Sequence, residues 1–177
     1  MTTESLCLTY TSTVNARCAG NHRSILTDNS ILAGQVDVNS GIDNLIDAWA
    51  VAVNGDALFR KGVSNSCPDG TVWEYVSSDQ PLVSISCGPD NQVWAVGKDG
   101  SAYWRFGTMA SKRMGEVWEA VEPPSGKTLK QVSVGRSAVW GLDSAGQLFV
   151  RREVTPVFPE GTHWQTVSSP QMAAGAG

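Results

Sequence analysis

Gln92-Val-Trp-Ala-Val-Gly-Lys-Asp-Gly-Ser-Ala-Tyr-Trp-Arg105 reads as two short strands joined by a tight turn. Its runs are β-branched and aromatic, and Asp99-Gly100 between them is hairpin chemistry, because glycine takes positive φ without a Cβ clash. The stretch is not alone. Trp49, Trp94 and Trp140 are separated by 45 and 46 residues, and so are Trp73, Trp118 and Trp164. The same period relates Gly55, Gly100 and Gly146; Arg60, Arg105 and Arg151; and Gly70, Gly115 and Gly161. Five independent sets sharing one period make the chain an array of three copies.

Each copy holds four runs of 4 to 6 residues separated by glycine, Asn-Gly, Asp-Gly or proline. Apolar residues alternate at period two, as in Val132 and Val134, and no long amphipathic helix pattern competes. Four short antiparallel strands per repeat is the pattern of propeller blades. The fold class is therefore all-β, a partial β-propeller of about three four-stranded blades at 38–76, 82–121 and 129–167. Trp49, Trp94 and Trp140 are expected on second strands, buried between blades. The first copy is weakest at its start, Val38-Asn-Ser-Gly41. Residues 1–37 are polar and lack tryptophan, and Thr9–Val14 and Ser30–Val36 are candidate strands of a decayed blade. Residues 169–177 form a small-residue tail expected to be flexible. Three blades fall short of the four to eight that usually close a ring, so an open arc is expected to associate through uncovered apolar surface.

Composition narrows the function. Of 177 residues, 13 are Lys or Arg and 17 are Asp or Glu, a net charge of −4 with no basic patch, which argues against nucleic acid. No apolar run is long enough for a transmembrane helix. Cys7, Cys18, Cys67 and Cys87 match neither zinc nor redox spacing and read as reduced thiols of a cytosolic protein. His22 and His163 stand apart from any motif-spaced carboxylate, and most aspartates fall in turns, so no catalytic residue, metal site or cofactor is expected.

The candidate binding residues are Arg60, Arg105 and Arg151. Three symmetry-related guanidiniums suit phosphoinositide or carboxylate recognition. Equally, each suits stacking on the fourth-strand tryptophan of its own blade, the reading that repetition favours. Trp73-Glu-Tyr-Val76, Trp118-Glu-Ala-Val121 and Trp164-Gln-Thr-Val167 also fit the aromatic-x-x-aliphatic pattern of peptides that add a strand to ubiquitin-like modifiers. Recurrence in every copy favours a packing rhythm.

The consensus Val-Ser-x-Gly, Val-Trp-Ala-Val, Leu-Phe-x-Arg, Gly-x-x-Trp resembles the tectonin repeat over about residues 38 to 168. The connection Gly62-Val-Ser-Asn-Ser-Cys-Pro68-Asp-Gly70-Thr-Val-Trp73 and its counterpart Val154–Trp164 are similar to those of the long-repeat branch, the tectonin β-propeller repeat-containing proteins of animals. The middle copy departs from it, with Arg113 where the others carry Pro68 and Pro159. The resemblance implies a non-enzymatic, cytoplasmic scaffold for autophagy or vesicle trafficking, with partners among the autophagy conjugation proteins. It also implies peripheral contact with autophagosome or lysosome membranes through other domains of a longer protein. The alternative is a carbohydrate-binding lectin of innate defence, as in the short-repeat branch.

Overall fold

The computed structural model describes residues 33–40 and 46–168. Among the described residues, twelve strands form three four-stranded antiparallel sheets, each in simple sequential order. The first blade holds β1 (Ala33–Ser40), β2 (Ile46–Ala52), β3 (Ala57–Lys61) and β4 (Val72–Val76). The second holds β5 (Leu82–Cys87), β6 (Val93–Gly97), β7 (Ala102–Phe106) and β8 (Val117–Val121). The third holds β9 (Leu129–Val134), β10 (Val139–Asp143), β11 (Leu148–Arg151) and β12 (Trp164–Thr166). Apart from a single 3₁₀ turn at Pro89–Asn91, no helix occurs among the described residues.

One difference concerns the opening of the first blade. β1 starts at Ala33 rather than near residue 38, so part of the expected decayed segment is the first blade's own inner strand. Gln35-Val-Asp-Val38 alternates as a strand should; Asp37 stands where the other blades carry Ser86 and Ser133, and Gln35 where they carry Ser84 and Gln131. Candidate strand Thr9–Val14 and the tail from residue 169 lie outside the described residues.

Those polar side chains join blade to blade. The Gln35 amide acts as an extra peptide unit, accepting from Ile85 N and donating to Ile85 O, both at 2.8 Å. Asp37 Oδ2 accepts from Ser86 Oγ at 2.8 Å and from Cys87 N at 2.9 Å. One blade further on, Ser84 Oγ and Ser86 Oγ accept from Val132 N and Val134 N at 3.4 and 3.1 Å. Inner-strand side chains thus take up backbone donors of the following blade, satisfying groups whose burial is costly without a partner.

Turns complete the joint. Gly55 O and Gly100 O, in the β2–β3 and β6–β7 turns, accept from Leu82 N and Leu129 N of the next blade, each at 2.8 Å. Both glycines have positive φ, and a Cβ there would meet Pro81 at 2.6 Å and Thr128 at 2.4 Å. A side chain would separate the blades. Gly146, at the end of the array, has no atom within 4 Å of its would-be Cβ.

Two apolar clusters fill the two junctions, centred on Trp49 with Phe59, Ile85 and Trp118, and on Trp94 with Val132, Phe149 and Val154. Trp49 and Trp94 are fully buried, as expected. Trp140 is not; it is 42% exposed, because no further described blade packs on the third. Leu148 beside it is also exposed. We expect the 177-residue chain to self-associate through this face and to bind an apolar-surface dye. Trp140→Glu should shift sedimentation toward monomer and reduce dye binding, whereas unchanged association would locate the contact elsewhere.

Cys87 is a free thiol buried in the first junction, with burial and the nearby Asp37 and Asp47 carboxylates pushing its pKa far up. It should resist a thiol reagent in the native protein and react only on unfolding, as followed by timed labelling with denaturant. Cys67, by contrast, is disulfide-bonded, which departs from the reduced reading. Sequence spacing carries no information on which cysteines a fold brings together. Cys7 and Cys18 lie outside the described residues.

Candidate functional site

The repeated arginines occupy equivalent places in the three blades. Arg60, Arg105 and Arg151 each lie on a third strand, directly paired with Trp73, Trp118 and Trp164 of the fourth. Each guanidinium sits over its partner ring, at 5.3, 5.2 and 5.7 Å from the centroid. Each Nε donates to a carbonyl of the following long connection, Asp69 O and Met114 O at 2.7 Å and Glu160 O at 2.9 Å. Arg105 and Arg151 are buried, and that burial lowers their pKa. Stacking covers one face of each guanidinium and occupies its Nε, and burial of Arg105 and Arg151 narrows the access of an anion to the remaining N–H groups.

Two of the fourth-strand tryptophans, Trp118 and Trp164, are engaged from both sides. Trp49 meets Trp118 edge-to-face at 6.1 Å, and Trp94 meets Trp164 at 6.3 Å. A second-strand indole of one blade, a fourth-strand indole of the next and that blade's arginine therefore stack across each junction. Val76 and Val121 are buried as well. An aromatic-x-x-aliphatic ligand must offer both side chains to a partner, and here they face the protein's own core.

What differs between the two junctions lies at their mouths. In the first, Arg113 of the second blade's long connection reaches back to the first blade. Its Nε donates to Asp47 Oδ1 at 2.6 Å, its Nη2 contacts Asp47 Oδ1 and Ile46 O, and its Cζ lies 5.4 Å over the Phe59 ring. Asp47 is buried, and desolvation raises its pKa while Arg113 opposes the rise.

The second junction carries other residues at each of these places. Pro159 stands for Arg113, Gln92 for Asp47 and Trp104 for Phe59. Proline does not fill the space an arginine would, and an open cleft of about 470 Å³ results. Gln92, Trp104, Pro159, Asp90, Glu119 and Glu160 are among its lining residues. Gln92 is only 4% exposed, and its Oε1 and Nε2 have no hydrogen-bond partner among the described residues. A shallower depression of about 240 Å³ lies beside Trp140, Arg152 and Gln165 on the open face.

None of the expected binding residues is Gln92, Trp104 or Arg113. Their signal in the sequence is departure from the repeat, already visible as Arg113 in a proline position. No group of three or more His, Cys, Asp or Glu suited to a metal occurs among the described residues, and His163 Nδ1 is engaged with Thr162 Oγ1 at 2.9 Å.

A family model described as a propeller, Hyd_WA, matches residues 48–76, 92–121 and 138–167, just over half the chain and one segment per blade. The chain belongs to the tectonin β-propeller repeat family. A tectonin beta-propeller repeat-containing protein of Drosophila melanogaster is 64% identical over 120 residues, covering 68% of this chain and 9% of that protein. The human tectonin beta-propeller repeat-containing protein 1 is 59% identical over 100 residues, 56% of this chain and 9% of that protein. The chain thus spans less than a tenth of either relative's length. Among solved structures, human WBSCR16 superposes with a TM-score of 0.50 at 15% identity, over 74% of this chain and 35% of that one. YCF48 bound to D1 peptide does so at 0.50 and 19% identity, over 77% and 41%. At those identities the likeness concerns the propeller fold of these tectonin blades alone. No helix among the described residues is long and apolar enough to cross a membrane.

Proposed function

We propose that this chain is a non-enzymatic protein-interaction module of a cytoplasmic scaffold that tethers membranes in autophagy or vesicle trafficking. Peripheral contact with autophagosome or lysosome membranes would come through other domains of a longer protein. One observation carries the reading. The repeated charged and aromatic residues are engaged in blade packing, while the residues that break the repeat line an open inter-blade cleft. A fold that buries its repeated polar groups in its own joints and varies at its surface suits binding rather than chemistry. The likeness to the tectonin proteins of fly and human supports the propeller-scaffold part of the reading, and the autophagy setting rests on the resemblance of the long connections to that branch.

The test has two arms. A fluorescently tagged chain, expressed in starved and fed cells, is expected to gather with autophagosome or lysosome markers on starvation. A distribution unaltered by starvation would overturn the trafficking reading. On a glycan array the purified chain is expected to bind nothing, and dose-dependent, competable sugar binding would replace the scaffold by a lectin.

A further inference from the structure

We propose that the cleft between the second and third blades is a receptor for an arginine side chain of a partner polypeptide. The proposal deepens the interaction-module reading and rests on it for the existence of a partner. Its warrant is that the chain already builds the occupied form of this site once. At the first junction a guanidinium lies over an aromatic ring, Phe59, and bonds to a side chain just before the second-strand tryptophan, Asp47. At the second junction the ring is Trp104, a better cation–π face than phenylalanine, and the acceptor is Gln92. The chain's own connection offers Pro159 there, which can neither donate a hydrogen bond from its side chain nor reach as far.

Gln92 makes the cleft a site rather than a gap. Its amide is buried with both polar atoms unpartnered among the described residues, a condition that native proteins rarely leave unanswered. Both atoms are closed to solvent in the unliganded chain, so the Gln92 amide must turn into the cleft as a guanidinium enters above Trp104; Oε1 then accepts from it, and the carbonyls of the arginine-bearing peptide offer acceptors for Nε2.

Charge agrees with this assignment. Asp90, Glu119 and Glu160 line the cleft. In the first blade the position of Glu119 is held by Glu74, which pairs with Lys61. In the second blade Phe106 replaces that lysine, and Glu119 has no ion-pair partner among the described residues. Of the nearby cations, Arg105 is held by Trp118 and Met114 O, while Arg136, 70% exposed, lies 3.9 Å from Asp90 and screens that carboxylate only weakly. Arginine is favoured over lysine because its planar, weakly hydrated head can stack and donate at once.

The experiment titrates the 177-residue chain calorimetrically with a blocked pentapeptide, Ala-Ala-Arg-Ala-Ala, and with its lysine and citrulline counterparts. Arginine is expected to bind about tenfold more tightly than lysine, and citrulline, isosteric but neutral, weaker still. Trp104→Leu should weaken arginine binding by about tenfold or more. Pro159→Arg should do the same from the other side, by placing the chain's own guanidinium in the cleft as Arg113 is placed in the first junction. Because that variant fills space instead of removing core, it should keep its melting temperature, and a circular-dichroism melt checks this.

Absence of arginine binding, equal affinity for the citrulline peptide, or full binding by folded Pro159→Arg would each overturn the proposal. So would a sugar that displaces the arginine peptide and binds more tightly. A chain that reaches autophagic membranes in cells but binds no arginine peptide loses this site and keeps the wider reading. Selective arginine binding by a chain indifferent to starvation keeps the site and loses the trafficking context.

Discussion

Trp94→Ala is expected to cost about 3–5 kcal/mol of folding stability, whereas the same change at its repeat counterpart Trp140 should cost under about 1 kcal/mol. Both indoles lie on second strands and share one sequence context. Only their neighbours differ. Trp94 is fully buried, set edge-to-face against Trp164 and surrounded by Val96, Val132 and Phe149 from two sheets. Removing it opens a void that the blades cannot close by approaching, because Ser84 and Ser86 already fix their inner strands together and Gly100 O is bonded to Leu129 N at the start of β9. Trp140 is 42% exposed, so its deletion removes little from the folded core. Urea titrations of the two variants, followed by far-ultraviolet circular dichroism, separate the cases. Equal losses would mean that the indole stabilises its own sheet and not the junction between sheets.

That contrast also shows how far the sequence could be read. Strand positions were legible because hairpin chemistry and alternation are local properties, repeated in each copy. The stacking of Arg60, Arg105 and Arg151 on their blade's tryptophans follows the same logic, since a packing problem posed in every blade receives the same residues. Burial of Trp140 was not legible, because burial belongs to the neighbour as much as to the residue. Gln35 and Asp37 escaped for a related reason. They serve where Ser84 and Ser86 serve in the second blade, and their partners, Ile85, Ser86 and Cys87, lie about fifty residues away. A repeat search averages the copies and so suppresses the positions where they differ. Gln92 and Trp104 are such positions; Arg113 stood out as a departure from proline but without its partner, and the difference between a filled junction and an open cleft resides in these three.

Arg113→Ala should therefore be the most costly change available outside the apolar clusters, about 3 kcal/mol, somewhat below the figure for a fully buried pair because the Arg113 side chain keeps 21% exposure. Its partner Asp47 stays behind with a side chain only 6% exposed. The cost is the stranded carboxylate more than the lost attraction, and it carries a sign in pH. Burial raises the Asp47 pKa above its unfolded value, and Arg113 opposes that rise both by charge and by hydrogen bond. A carboxyl whose folded pKa is raised binds more protons folded than unfolded, so its contribution to stability falls as pH climbs through the interval between the two values. Deleting Arg113 removes the opposing influences, pushes the folded pKa higher and extends that fall toward neutrality. Cys87, which packs near Asp47, does not blur this signal, because burial and the neighbouring carboxylates push its pKa far up and keep the thiol protonated across the range. The deficit of Arg113→Ala relative to the parent should be smaller near about pH 5 than near about pH 8. Adding Asp47→Asn should recover most of the loss at the higher pH, leaving about 0.5–1 kcal/mol for the missing guanidinium over Phe59. Thermal melts of the parent, both single variants and the double variant at the two pH values form the cycle. A deficit that is the same at both, and that Asp47→Asn does not relieve, would show that Arg113 acts by filling the junction and that the buried charge costs nothing once its partner has gone.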